Sequence, residues 1–328
     1  MEPQRKDFYG IDLLKYVMAL AVVAIHIMAQ NKIVYPPAVV WFIRLAVPFF
    51  FIISGFFIGS KLSRLESAEA RRTFLLKRSV HLFKIFILWL IIYLPWSIYY
   101  YMYDYEEHSI ISFAIVYIKR IVYYGESYYA WPLWYIYSYA FVCLLMGLTM
   151  KWRLRIPLLA TLFIVAYIAV YLYDNQISLG MEKIITNTRL LLGRTLGGGL
   201  YMLMGAGLYQ LYCRGAKLGR YILPALALSI ILFYFTLPFG ELLGGLAFVI
   251  IGLFISLQPS SLWLELRWQS MWMYYTHMYV IMIVYVIYPT MMPVAIIAAV
   301  YAGSILLSYC LNRLQNTPGF NKLGLLIK

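Results

Sequence analysis

Apolar residues fill the chain in long runs, and polar residues gather in short stretches between them. A run of about twenty apolar residues is what a helix needs to cross the hydrocarbon core of a bilayer. The pattern predicts ten such helices, over 11–30, 38–60, 79–101, 131–150, 156–173, 194–212, 221–238, 241–258, 269–288 and 291–311. The alternating ten-residue segments of a membrane barrel are absent. No long linker or low-complexity stretch interrupts the series. The expected fold is therefore all-α, one polytopic transmembrane helical bundle over residues 1–328.

Composition agrees: 64% of the 328 residues are hydrophobic and 12% are charged. A soluble domain does not have that balance. The net charge of +14 does not point to nucleic acid, because the basic residues sit in short loops. One set of loops holds Arg5 and Lys6, the stretch from Lys61 to Arg78, Lys151 to Arg155, Arg214 to Arg220, Arg267, Arg313, Lys322 and Lys328. The opposite set holds only Lys32, Lys119, Arg120, Lys183 and Arg189. The richer side is expected in the cytoplasm, with both termini there, in a multi-pass protein of the cell's inner (plasma) membrane. Arg5 and Lys6 before an apolar run could open a signal peptide, but no A-x-A-like site follows. The segment is expected to stay as the first helix. Cys143, Cys213 and Cys310 are scattered, with no C-x-x-C pair, and offer neither a disulfide framework nor a metal site.

A few polar residues interrupt this picture. In GIDLLKYVMALAVVAIH, Lys15 and His26 lie eleven positions apart, which puts both on one helix face. The rise of about 1.5 Å per residue separates them by roughly 16 Å. Ionisable groups inside a span are costly and mark function by default. This pair reads as a phosphate anchor and a general base at the two ends of a narrow track. A snorkelling lysine and a histidine satisfied by a neighbouring helix are the alternative.

Other spans add candidates. Ser54, before Gly55, is a hydrogen-bonding group in a site or part of a close helix crossing. Lys77, His81 and Lys84 share a face, with Arg78 beside them. A basic stripe at a cytoplasmic span end suits a phosphate-rich ligand such as coenzyme A. The loop segment ISFAIVYIKRIVYY is expected in the interface or dipping into the membrane. In GESYYAWPLWYIYSY the aromatic residues, Trp134 among them, either cradle a sugar or form an interfacial belt. Arg189 and Arg194 meet an acidic or hydroxyl-rich acceptor, or lipid headgroups. His277 positions substrate or hydrogen-bonds another helix.

Several of these patches resemble the acyltransferase 3 family of membrane acyltransferases. That family opens with Arg, ten residues, then His; here the spacing holds and Lys15 stands in the arginine's place. PFFFIISGFF is similar to the family's second helix. PLWYIYSY is similar to a segment that usually has His before Leu-Trp, where this chain has Pro132. The basic third helix, an arginine before the sixth and a Tyr-x-x-His ending at His277 complete six patches, in the family's order across roughly 10–285. The resemblance implies transfer of an acyl group, most often acetyl, from cytoplasmic acyl-coenzyme A to a hydroxyl of an outward-facing or lipid-linked glycan. His26 would be the base, or would carry the acyl group itself; Lys15, Lys77, Arg78 and Lys84 would hold the donor's phosphates. Ser54, Trp134, Arg189, Arg194 and His277 are the acceptor candidates. No metal is implied, and the oligomeric state stays open. A small-molecule transporter, including one like the membrane part of membrane-bound serine racemases, is the rival class. A non-catalytic partner in glycan assembly is a third, favoured by Lys15 and Pro132.

Overall fold

In a computed structural model, residues 8–31, 34–104, 109–150, 161–165, 168, 182–235, 237, 239–287, 292–320, 322 and 324 are described. Among them every regular element is helical. The main helices are α1 (Tyr9–Asn31), α2 (Pro37–Arg44), α3 (Ala46–Ser63), α4 (Ala68–Asp104), α5 (Ile110–Tyr124) and α6 (Trp134–Thr149). They continue with α7 (Glu182–Cys213), α8 (Ile222–Tyr234), α9 (Gly240–Phe254), α10 (Ser261–Ile287) and α11 (Pro293–Gln315).

Six stretches are long and apolar enough to cross a membrane: Tyr9–Gln30, Pro37–Ser63, Ala68–Tyr103, Trp131–Thr149, Ser261–Ile287 and Pro293–Gln315. Each coincides with an expected span. The runs expected at 221–238 and 241–258 form the shorter apolar helices α8 and α9. The run at 194–212 is the second half of α7. The run at 156–173 lies largely outside the described residues.

The chain divides into two compact units, and the division falls within α3 and within α7. The first unit, Met1–Ile53 with Gln210–Ile327, holds α1, α2 and α8 to α11. Here α1 packs along α10 and runs parallel to it. Arg267 of α10 meets Asp12, His277 meets His26, and the Tyr285 hydroxyl donates to the Gln30 carbonyl, in ascending order on both helices. The α11 helix returns antiparallel: its last turn places Arg313 3.3 Å from Glu265 near the start of α10. Midway, the Tyr301 hydroxyl donates to the Leu20 carbonyl of α1. The start of α1 and the end of α11 therefore lie at one end of this unit. The ends of α7 and α9 join them, through the Phe8–Tyr212 ring contact and the approach of Gly10 to Gly252. At the far end, Trp41 of α2 donates to Ser229 of α8, and Arg44 pairs with Glu241 of α9 at 3.3 Å. The outer face of α8 exposes Leu223, Leu228, Ile230 and Ile231, as a lipid-facing helix does.

The second unit, Ser54–Tyr209, is built on α4 packed antiparallel against α6. Phe83 and Phe86 of α4 meet Tyr137 of α6 at 5.6 and 4.9 Å between ring centres. Deeper along the pair, Gly147 lets α6 close on Leu75 and Leu76. Helix α4 is longer than its apolar run because Ser67 caps it early, accepting the Ala70 N–H at 3.0 Å. The loop segment expected at the interface forms α5, capped by Ser109 and closed by Gly125 at φ +66°. One face of α5 exposes Ile110, Ile111, Ile115 and Ile118.

The Ser54–Gly55 pair does bring helices together. A Cβ on Gly55 would run into the Met202 backbone of α7, while Gly59 faces Ala206 one turn on. Gly207 on the same helix has open space around it. Gly55→Ala is therefore expected to destabilise by about 1–3 kcal/mol through overpacking. Gly207→Ala should be neutral or stabilising by roughly 0.5–1 kcal/mol. Thermal unfolding of the two detergent-solubilised variants beside wild type checks the contrast.

Candidate active site

Asp12 is the most deeply committed charge in the first unit, with 2% of its surface exposed. A carboxylate withdrawn from water is tolerable only when ion-paired and hydrogen-bonded. Both conditions are met. The Arg267 guanidinium grips it with two bonds, Nε to Oδ1 at 2.8 Å and Nη2 to Oδ2 at 2.5 Å. One turn along α1, Lys15 adds its ammonium 3.7 Å from Oδ1. Two cations share one carboxylate, so the cluster keeps a net positive charge and can still attract an anion.

The other end of the track is a pair of imidazoles. His26 on α1 and His277 on α10 have ring centres 5.1 Å apart, with planes inclined at 38°. His277 is fully enclosed, and its Nδ1 lies 2.9 Å from the Met273 carbonyl. A carbonyl can only accept, so Nδ1 carries the hydrogen. Between the two ends, Ala19 and Val22 are buried, which keeps the α1 face narrow. Lys15 and His26 thus both lie along the α1–α10 contact, one beside the carboxylate cluster and one beside a second histidine.

In the second unit the candidates separate. Arg78 turns inward, its guanidinium 5.6 Å from the centre of the buried Tyr139 ring. The Tyr139 side chain also hydrogen-bonds with Arg78 and with Ser54, and the Ser54 and Tyr135 hydroxyls meet at 2.9 Å. Ser54 and Arg78, chosen for different reasons, therefore belong to one polar cluster inside the bundle. Ser138 and Thr195 form a second buried hydroxyl pair, at 3.1 Å. Lys77 and Lys84 face outward, with His81 half-buried between them, so the stripe that includes both lysines excludes Arg78. Trp134 opens α6 and is half-buried, and Pro132 is buried in the short turn before it. Arg189 and Arg194 lie on α7, and their side chains fall outside the described part of the structure.

Three residues of these clusters do not stand out in the sequence. Arg267 reads there as a loop charge, Asp12 as an ordinary first-turn acid, and Tyr139 as one aromatic among many. The i, i+3 spacing of Asp12 to Lys15 was visible. So was the ten-residue step from Arg267 to His277, close to the eleven-residue step from Lys15 to His26.

The acyltransferase-domain model of the acyltransferase 3 family matches residues 8–313, nearly the whole chain. The chain belongs to the acyltransferase 3 family. It is a membrane acyltransferase, and the match takes in both the Asp12–Lys15–Arg267 cluster and the His26–His277 pair. No curated protein and no solved structure matches the chain.

Removing Arg267 should leave Asp12 buried with only the looser Lys15 contact. Breaking a buried pair costs about 3–5 kcal/mol, and the lower end is expected because Arg267 is itself partly exposed. Arg267→Leu should therefore melt well below wild type, and adding Asp12→Asn should recover much of the loss. A double-mutant cycle of melting temperatures in detergent measures the coupling.

Proposed function

We propose that this acyltransferase moves an acyl group, acetyl foremost, from cytoplasmic acyl-coenzyme A to a hydroxyl of a cell-surface or lipid-linked glycan. The observation that carries the reading is the α1–α10 contact, with a net-positive cluster at one end and an imidazole pair at the other. The donor has the same layout, phosphates at one end of a thin flexible arm and a thioester at the other. The roughly 16 Å from Lys15 to His26 suits such an arm. The glycan acceptor rests on the family resemblance. The hydroxyl cluster of Ser54, Tyr135 and Tyr139 is of a kind with it. The reading of Lys77, Arg78 and Lys84 as coenzyme ligands rests on their charge and their place near a span end.

In the proposed chemistry, neutral His26 takes the proton of the attacking hydroxyl. The hydroxyl oxygen bonds to the thioester carbonyl carbon and the carbon–sulfur bond breaks. His26 then returns the proton to the leaving thiolate, so the products are an ester and free coenzyme A. The cation cluster contributes uniform binding, and the base acts in the transition state.

We propose further that the chain crosses the membrane ten times with both termini in the cytoplasm. Two features support this. The start of α1 and the end of α11 lie at one end of the first unit, and Arg214, Lys217 and Arg220 follow α7 at that end. Parallel α1 and α10 also require an odd number of spans between them, and seven lie between a first and a ninth span. Reporter fusions after Lys328 and within Asp104–His108 should then report opposite sides of the membrane. The same side for both would sink the topology.

The chemistry is tested by label transfer from acyl-coenzyme A into glycan in membranes carrying each variant. His26→Ala should abolish transfer and leave coenzyme binding nearly intact. Lys15→Ala should weaken coenzyme binding roughly ten- to a hundred-fold, the loss of one charged contact. Lys15→Arg, which supplies the family's usual residue, should bind the coenzyme well. Full transfer by His26→Ala would remove the base and favour the transporter class.

A further inference from the structure

His277 has a feature that its packing does not explain. With the hydrogen on Nδ1 committed to the Met273 carbonyl, the neutral ring leaves Nε2 as a bare acceptor. That atom is buried and has no hydrogen-bond partner among the described residues. An unused acceptor inside a protein is destabilising, and a site keeps one for a reason. The His26 ring is its neighbour, at a centre-to-centre separation of 5.1 Å, roughly the reach of an N–H···N bridge between two imidazoles.

The charged groups around the pair are engaged elsewhere. On α10 itself, Arg267 holds Asp12 and Glu265 holds Arg313 of α11. From α11, the Tyr301 hydroxyl is given to the Leu20 carbonyl. From α10 the Tyr285 hydroxyl goes to the Gln30 carbonyl. On α2 and α9, Arg44 and Glu241 pair with each other. His26 is the titratable group that faces His277 from α1.

We propose that His277 is a positioning residue for His26: its Nε2 accepts the N–H on the His26 ring nitrogen turned away from the acceptor hydroxyl, and holds it more tightly as His26 becomes an imidazolium. This rests on the reading of His26 as the base. Neutral His26 has one ring N–H; the hydroxyl proton goes to the other ring nitrogen, which stays turned to the substrate, and the positive charge it brings makes the first N–H a stronger donor. His277 Nε2 accepts that N–H while the ester forms, and the bond relaxes when His26 passes the hydroxyl proton to the thiolate. No proton is gained or lost by His277 over the cycle. A second imidazole does here what a carboxylate does beside the histidine of a hydrolytic triad.

The test compares His277→Leu and His277→Gln in the full chain, in membranes, with labelled acetyl-coenzyme A and the endogenous acceptor. A glutamine amide oxygen can stand near the position of Nε2; leucine offers no acceptor. His277→Leu should lower kcat about ten- to a hundred-fold, with the KM for acetyl-coenzyme A and the melting temperature within error of wild type. His277→Gln should recover transfer to within about five-fold. Equal rates for the two variants, or a loss carried by KM or by melting temperature, would overturn the proposal. If wild type itself transfers no label, or His26→Ala transfers fully, the base reading has failed instead. The four histidines also permit a test on the unaltered protein by 15N-imidazole NMR. His277 should show the Nδ1–H tautomer, and its Nε2 resonance should move as His26 is protonated. An Nε2–H tautomer, or an Nε2 that ignores His26, would equally overturn it.

Discussion

Burial of the Asp12 carboxylate constrains the first unit more than any other single interaction. A charge that deep must be answered from a neighbouring helix, and Arg267 answers it with two short bonds. Such a fork fixes distance, direction and rotation together, which a lysine or a hydrophobic contact does not. It sets the register of α1 on α10, and parallel running then carries His26 to His277. The imidazole pair at one end of the contact is thus placed by electrostatics at the other.

The second unit is held differently. Its helices close through aromatic edges and glycine crossings. Between lipid-solvated helices the hydrophobic effect gives little, so close packing and polar contacts have to supply the adhesion. Gly55 and Gly147 provide the close approach, and the Arg78–Tyr139–Ser54 cluster provides the polar contacts. Ser54 therefore serves the architecture whatever it also does for a substrate.

Much of this was legible in the sequence, for physical reasons. Lys15 and His26 stand out because an ionisable group in an apolar run has few bland explanations. The six long helices follow from hydropathy alone. Hydropathy reports only the apolar part of a helix, which is why α4 and α10 extend beyond the expected spans and why the cap at Ser67 went unread. Arg267 was hidden by its place near a span end, where positive charge is ordinary. His277 was recognised as a candidate, but its free Nε2 depends on a carbonyl one turn away and on the ring of a helix some 250 residues earlier. No single-sequence signal encodes that meeting.

The Asp12–Arg267 bond also has a consequence for how the chain is made. Asp12 enters the bilayer with the first helix, and Arg267 is synthesised only near the end. In the interval Lys15, on the same helix, is the counter-ion within reach of Asp12. A local pair of that kind lowers the cost of inserting the first helix alone, before its long-range partner exists. Lys15 would then act first as an escort during biogenesis, and afterwards, with Arg267 holding both carboxylate oxygens, stay as the looser of two partners whose charge an incoming anion can use. One residue would thus carry two duties separated in time, and the helix that completes the site would be among the last to arrive.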